Sequence, residues 1–218
     1  MKKNTLLLNF SVMVMLAFSS NDAFAASQTT TIKLQGQISP SSCDIAMDNA
    51  GSIKLNSSGG VNKSSVTGSI ALPTKKLGLM ILCRGATSFA FRSRDIALNA
   101  GNVQLPGENS RELFSLGMTN NGQAIGGYLA VIDRQHSSMD GKTIPNILIS
   151  ENEGASWRSG DTTLSPSGDS IYSWGSQTTP ESVRMVNVNI ILKPFLFNIN
   201  HPDSLKINGM TTFEIVYL

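Results

Sequence analysis

Gly-Met-Thr-Thr-Phe-Glu-Ile-Val-Tyr-Leu, residues 209–218, is the stretch of the sequence that decides the fold. Every second side chain would point to the same face of a β-strand. The residues that share one face are Thr211, Phe213, Ile215 and Tyr217. β-Branched and aromatic residues fill the stretch, and Gly209 marks its start. Such a strand belongs either to the core of a β-sandwich or to the edge of a site that receives a strand from another chain.

The first 25 residues have the three parts of a secretory signal peptide. Lys2 and Lys3 give the positive end, an apolar run follows, and Ala-Phe-Ala at residues 23–25 is a small-x-small cleavage site. We therefore expect an exported chain of residues 26–218 that folds as a single domain. No stretch reaches the roughly 18 uncharged apolar residues of a membrane-spanning helix, so no stable membrane insertion is expected.

The exported part is nearly neutral. Loss of Lys2, Lys3 and Asp22 lowers Lys plus Arg from 17 to 15 and Asp plus Glu from 15 to 14, so the net charge falls from +2 to +1. Nucleic-acid-binding proteins carry clustered Lys and Arg, whereas only two small basic clusters occur here, at residues 75–76 and 92–94. The composition therefore argues against a nucleic-acid partner.

Cys43 and Cys83 both lie in the exported part. An oxidising compartment favours a disulfide between them. On the chain-entropy model such a bond would stabilise the fold by roughly 4 kcal/mol. The alternatives are two free buried thiols or a metal pair. No His or further Cys stands at ligand spacing, so neither a metal site nor a cofactor is predicted.

Short alternating runs separated by turn residues fill the rest of the chain. Strands are predicted over residues 32–38, 43–45, 51–55, 69–72, 77–83, 88–94, 113–116, 126–133, 145–150 and 183–197. Cys83 is expected to end its strand, and residues 120–122 (Asn-Asn-Gly) to turn a hairpin. Residues 154–175, dense in Ser, Gly and Asp, are expected to form a long surface loop or a peripheral hairpin. Helix content should be low, and the pattern predicts an all-β antiparallel sandwich.

No catalytic site assembles from the sequence. Asp133 and His136, with a serine of residues 137–138, supply the residue types of an acid, a base and a nucleophile. The Gly-x-Ser-x-Gly elbow that would expose such a serine is absent from the sequence. The other candidate side chains are His201, Glu151 with Glu153, and Asp161 with Asp169. We interpret all of these as structural or solvated groups and predict that the protein is not an enzyme.

Trp157 and Trp174 stand near the two ends of the polar stretch. Indole rings can stack on sugar rings, although tryptophan more often serves as partly buried packing. A self-complete periplasmic or secreted glycan-binding module, with these two side chains as its contacts, is therefore the alternative function.

Ile-Lys-Leu-Gln-Gly-Gln-Ile at residues 32–38, followed by Cys43-Asp44-Ile45 and by Cys83 in an apolar strand, resembles the opening of chaperone-usher fimbrial subunits, or pilins. The closing strand, with Tyr217 next to last, resembles their C-terminal recognition strand. Residues 114–126 and 207–212 are similar to segments of the GltF-like fimbrial-like proteins of enterobacteria.

The resemblance implies an incomplete immunoglobulin-like antiparallel β-sandwich of pilin type. Its missing last strand would leave an apolar groove between the first strand and the closing strand. In donor-strand complementation, an established form of β-augmentation, a periplasmic pilus chaperone fills this groove with a strand. At the outer-membrane usher, the N-terminal extension of another fimbrial subunit replaces that strand. The implied groove residues are Ile32, Leu34, Ile38, Thr211, Phe213, Ile215, Tyr217 and Leu218, and the Leu218 carboxylate would anchor basic chaperone residues.

The extension that this chain could itself donate is short and polar. It consists of Ala26, Ser27, Gln28, Thr29, Thr30 and Thr31. Family donor extensions carry alternating apolar side chains, which are almost lacking here. We therefore expect a subunit that accepts a strand more readily than it donates one, as a minor or terminal component. The resemblance places the protein in the periplasm and then in a fimbrium or at the cell surface. It also implies a role in cell adhesion.

Overall fold

The structure is a computed structural model that describes residues 42–55, 62–64, 68–197 and 206–218. One compact unit, Ser39–Leu218, contains all of these residues. The signal peptide, the extension at residues 26–31, the strand predicted over residues 32–38 and His201 lie outside the described residues.

β-Strands dominate the described part of the chain, and its helices are 3-10 turns of three or four residues. These turns are Asp48–Gly51, Ser110–Glu112 and Arg134–His136. The strands are β1 (Cys43–Met47), β2 (Asn62–Ser64), β3 (Ser69–Ala71), β4 (Lys75–Thr87), β5 (Phe89–Asp95), β6 (Phe114–Ser115), β7 (Gly126–Ile132), β8 (Ser138–Met139), β9 (Lys142–Thr143), β10 (Ile147–Ser150), β11 (Arg158–Ser159), β12 (Ile171–Trp174), β13 (Val183–Phe197) and β14 (Thr211–Tyr217). No helix among the described residues is long and apolar enough to cross a membrane.

The strands form two antiparallel sheets, which confirms the predicted β-sandwich. The five-strand sheet has the order β11-β10-β12-β5-β14. The nine-strand sheet follows β1-β4-β13-β3-β2, and β7 and β8 also pair with β13, while β6 joins β7 and β9 joins β8. β13 covers the predicted residues 183–197, and it is the longest described strand, with 15 residues.

The core lies between the two sheets. Alternate residues of β13, such as Val186, Val188 and Ile190, point inward and are at most 1% exposed. From the five-strand sheet, Phe89 and Trp174 meet edge to face with ring centroids 4.7 Å apart. Burial of each large apolar side chain stabilises the folded state by about 1.5–3 kcal/mol, so this interior is the main source of stability.

The predicted disulfide is present. Cys43 and Cys83 stand opposite each other on β1 and β4, and their sulfur atoms are bonded. The Cα atoms are 3.9 Å apart, because this pair lies between the hydrogen-bonded pairs of the two strands, where side chains come closest. The bond indicates a non-cytoplasmic, oxidising compartment.

The predictions for residues 77–83 and 51–55 differ most from the structure. Cys83 does not end its strand, because β4 continues to Thr87, which still pairs with Val183 of β13. Residues 51–55 form no strand. Gly51, with φ of +74°, ends a 3-10 turn, and the residues after it run without a partner strand. Apolar alternation alone cannot distinguish such a segment from a short strand.

The prediction for residues 154–175 is wrong at its far end. All four residues of β12 are buried, between β10 and β5. The strand is short and follows a run of Ser, Gly and Asp, so local composition concealed it. At the near end, β10 and the two-residue strand β11 do form a peripheral hairpin at the sheet edge.

Candidate functional site

β14 is an edge strand. Among the described strands it pairs only with β5. The Ile96 amide donates to the Met210 carbonyl, and the Leu218 amide donates to the Ser88 carbonyl. Residues of an antiparallel pair bond alternately toward and away from the neighbouring strand, so the even-numbered residues bond to β5. The residues whose N–H and C=O groups point to the free edge are Thr211, Phe213, Ile215 and Tyr217.

β1 is the matching edge of the nine-strand sheet. Its described neighbour is β4 alone. The Arg84 amide donates to the Ser42 carbonyl, and the same alternation then applies along the strand. Cys43, Ile45 and Met47 therefore direct their backbone groups away from β4, toward the free edge.

The two free edges border one opening, which we call the seam. At one end, the hydroxyl of Tyr217 accepts a hydrogen bond of 2.9 Å from the Cys43 amide. At the other end, Met47 lines the same cavity as Thr211 and Phe213. β1 and β14 therefore run antiparallel along the two sides of the seam.

The cavity in the seam has a volume of about 180 Å³ and is mainly apolar. The inner face of the nine-strand sheet gives its floor, β14 and the residues before it give one wall, and the segment after β1 gives the other. The lining residues are Met47, Gly51, Ile53, Leu55, Leu77, Phe114, Leu116, Tyr128, Ala130, Leu192, Pro194, Ile207, Gly209, Thr211 and Phe213. Sequence reasoning missed the wall at residues 47–55, because the apolar alternation of residues 51–55 predicted a paired strand.

A second tyrosine connects β14 to the opposite sheet. The hydroxyls of Tyr128, on β7, and Thr211 are hydrogen-bonded. Burial raises the pKa of Tyr128 to about 12, so its hydroxyl stays neutral. A Cβ added at Gly209 would lie 3.0 Å from the Ser115 carbonyl oxygen, so glycine fits this close crossing between the sheets best.

The seam leaves apolar side chains accessible. Ile45 is 37% exposed although its strand neighbours on the same face, Cys43 and Met47, pack against the core. Tyr217 is 53% exposed, whereas Phe213 and Ile215 are half-buried against the core. The four residues predicted on one face of the closing strand thus lie together here. Their predicted counterparts Ile32, Leu34 and Ile38 lie outside the described residues.

Leu218 packs away from the cavity, beside the polar loop. A Cβ added at Gly154 would lie 3.3 Å from Leu218 Cδ2 and 3.5 Å from Trp157 Cζ2. Trp157 is half-buried and directly precedes β11. The role expected of the Leu218 carboxylate stays a prediction.

The predicted glycan contact at Trp174 is wrong. Its side chain is fully buried against Phe89, so its ring faces are unavailable to a sugar. Trp174 stands opposite Ile147 inside the sheet, whereas Trp157 precedes the edge strand β11. The two indoles do not form one surface.

Asp133 and His136 do form a pair, with 2.7 Å between Asp133 Oδ2 and His136 Nδ1. This hydrogen bond lowers the pKa of Asp133. The Ser137 hydroxyl donates to the Asp133 carbonyl and accepts from the Asn189 amide. Both of these partners of the Ser137 hydroxyl are backbone groups, and no hydrogen bond joins the hydroxyl to the His136 ring.

Two of the loop carboxylates form salt bridges with arginines. Glu151 pairs with Arg158 and Glu153 with Arg92, each at 2.7 Å. Asp161 and Asp169 line a polar groove of about 860 Å³ together with Glu151 and Arg158. Within the described ranges, no three His, Cys, Asp or Glu side chains come together as metal ligands.

No protein-family model matches the sequence, and no curated protein matches it either.

Proposed function

We propose that the protein is a non-enzymatic, fimbrial-like structural subunit that is completed by a β-strand from another chain. One observation carries the proposal: the free edges of β1 and β14 border a single apolar opening. An incomplete immunoglobulin-like sandwich of pilin type would have such an opening.

Backbone groups and apolar side chains are exposed at the same place in the seam. Thr211, Phe213, Ile215 and Tyr217 direct N–H and C=O groups that pair with no described strand toward one side of the seam. Cys43, Ile45 and Met47 do the same on the other side, where the Cys43 N–H donates to the Tyr217 hydroxyl. Edges of this kind pair readily with further strands, and exposed apolar surface adds to the tendency to associate. A strand with alternating apolar side chains would satisfy both needs, as in β-augmentation.

The proposed partners follow from the resemblance. A periplasmic pilus chaperone would fill the seam first, and another fimbrial subunit would replace it at the outer-membrane usher. The disulfide fits an exported protein of this kind, found in the periplasm and then in a fimbrium or at the cell surface. The polar residues 26–31 support a minor or terminal position.

Co-expression with a periplasmic pilus chaperone from the same operon tests the proposal. We expect a one-to-one complex that purifies intact, and self-association of the chain when it is produced alone. Phe213→Glu, which puts a charge into the seam, should abolish the complex. Thr212→Glu is the matched control, because Thr212 lies on the other face of the same strand, opposite Arg94.

Two results would contradict the proposal. One is a chain that, without a partner, stays monomeric at high concentration and melts reversibly in two states. The other is a Phe213→Glu variant that binds the chaperone as well as the Thr212→Glu variant does.

A further inference from the structure

We infer that Tyr217 is a removable strut, which holds the Cys43 amide while the seam is empty and is released when a strand enters. This inference rests on the proposed function, since it concerns the regulation of the same seam. It assigns a structural role to the Tyr217 side chain.

The strut competes with an incoming strand for one donor. The Cys43 N–H points to the free edge of β1, and the Tyr217 hydroxyl accepts its hydrogen bond at 2.9 Å. A strand that pairs along β1 must offer a carbonyl to the same N–H. Because one N–H donates one good hydrogen bond, the hydroxyl has to leave.

The second tyrosine contact does not compete. Tyr128 bonds the side-chain hydroxyl of Thr211, whose backbone N–H and C=O remain at the free edge. An incoming strand can pair with the Thr211 backbone and leave this contact intact. The Tyr217 hydrogen bond is therefore expected only before a strand enters the seam. The Tyr128 hydrogen bond is expected both before and after the strand enters.

Release of the strut removes little side-chain surface of Tyr217 from contact with the protein. Tyr217 is already 53% exposed, so its ring can turn outward without opening the core. In the empty state the strut satisfies a backbone donor at a sheet edge, and unsatisfied edge donors invite pairing with other chains. The strut therefore protects the free edge of β1 from pairing with other chains until a strand enters the seam.

A chain that carries its own filling strand tests the inference. Leu218 is followed by an Asn-Gly turn and an alternating Thr/Val strand of seven residues, the length of β14. Tyr217→Phe and Tyr128→Phe are each placed in the original and in the lengthened chain. The equilibrium constant of unfolding in urea is measured by tryptophan fluorescence at high dilution.

In the original chain, each variant should raise the equilibrium constant of unfolding by roughly two- to tenfold, the effect of one hydrogen bond. In the lengthened chain, Tyr217→Phe should have no effect, whereas Tyr128→Phe should keep its full effect. An equal penalty for Tyr217→Phe in both chains would overturn the strut while the proposed function stands. A lengthened chain no more stable than the original would overturn the proposed function, and the strut with it.

Amide hydrogen exchange gives an independent measurement on the original chain. The Cys43 amide should exchange more slowly than the Ile45 amide, which faces the same edge without a described partner. Tyr217→Phe should remove that difference. Equal exchange of the two amides in the unsubstituted chain would overturn the strut.

Discussion

β13 and β14 have the same kind of sequence and opposite positions. Both alternate β-branched or aromatic residues with polar ones. Val186, Val188 and Ile190 of β13 are at most 1% exposed, whereas Tyr217 of β14 is 53% exposed. β13 bonds to strands on both of its sides, but β14 bonds only to β5 among the described strands. Alternation therefore identifies a strand without showing whether it lies inside a sheet or at its edge.

The two strands differ in how fully their backbone groups are paired and their side chains buried. Successive residues of β13 face strands on its two sides in alternation, and its inward-pointing side chains are buried in the core. Every second residue of β14 has backbone groups that pair with no described strand, and its side chain is only partly buried or, at Tyr217, exposed. The two strands should therefore respond differently to the same kind of substitution.

The largest effect is expected at the other edge strand, β1, which pairs only with β4 among the described strands and is joined to it by the disulfide. Replacement of both Cys43 and Cys83 by Ser should destabilise the chain by about 4 kcal/mol, because the bond closes a separation of 40 residues. The free energy of unfolding of the lengthened chain in urea measures this cost. An unchanged midpoint would mean that β4 alone holds β1.

A matched pair of truncations tests the comparison directly. Ile190→Ala on β13 should cost roughly 3 kcal/mol, as for a fully buried aliphatic residue. Ile215→Ala on β14 should cost clearly less in the original chain, because the Ile215 side chain is only partly buried. In the lengthened chain the gap between the two costs should narrow. Equal costs in the original chain would show that the seam is already closed.

A smaller effect is expected where β5 meets the start of β14. Asp95 is 7% exposed and accepts hydrogen bonds from the Ser115 and Ala97 amides. Burial raises the pKa of Asp95 above the ordinary 3.8, although the two amides oppose this shift. Its contribution to stability is therefore full below 3.8 and is lost as pH rises through the raised pKa.

Asp95→Asn separates this contribution from the rest. The stability of the unsubstituted chain relative to this variant should fall as pH rises from below 3.8 to neutrality. Urea unfolding of both chains over that range measures the difference. A relative stability that rises with pH would mean that the amide bonds outweigh the burial of the charge.

The smallest effect is expected on the outer face of the same strands. Arg92 pairs with Glu153 at 2.7 Å and lies 3.7 Å from Glu214 of β14. Arg92 lowers the pKa of Glu153, so this pair stabilises the chain above the ordinary pKa of 4.5 and the contribution is lost as pH falls. Because Glu153 is 64% exposed, Glu153→Gln should have a slight effect that salt abolishes. A salt-insensitive loss would contradict this reading.

Much of the fold could be predicted from local pattern. The bounds of β13 and the disulfide pair were predicted, because alternation over 15 residues and the presence of two exported cysteines are strong signals. β12 was missed, because four buried residues after a polar loop carry little periodicity. At the seam, the face of β14 was predicted but the wall formed by Met47, Ile53 and Leu55 was not. That wall depends on how the chain turns after β1.

The sequence by itself determined which residues form strands and which side chains of β14 share a face, because both follow from the two-residue period of an extended chain. Only the tertiary structure decided that β1 and β14 are edges of the same opening, because the pairing of distant strands sets the order of each sheet. It also decided that Tyr217 meets the Cys43 amide. That contact joins residues 174 positions apart, and no local pattern encodes it.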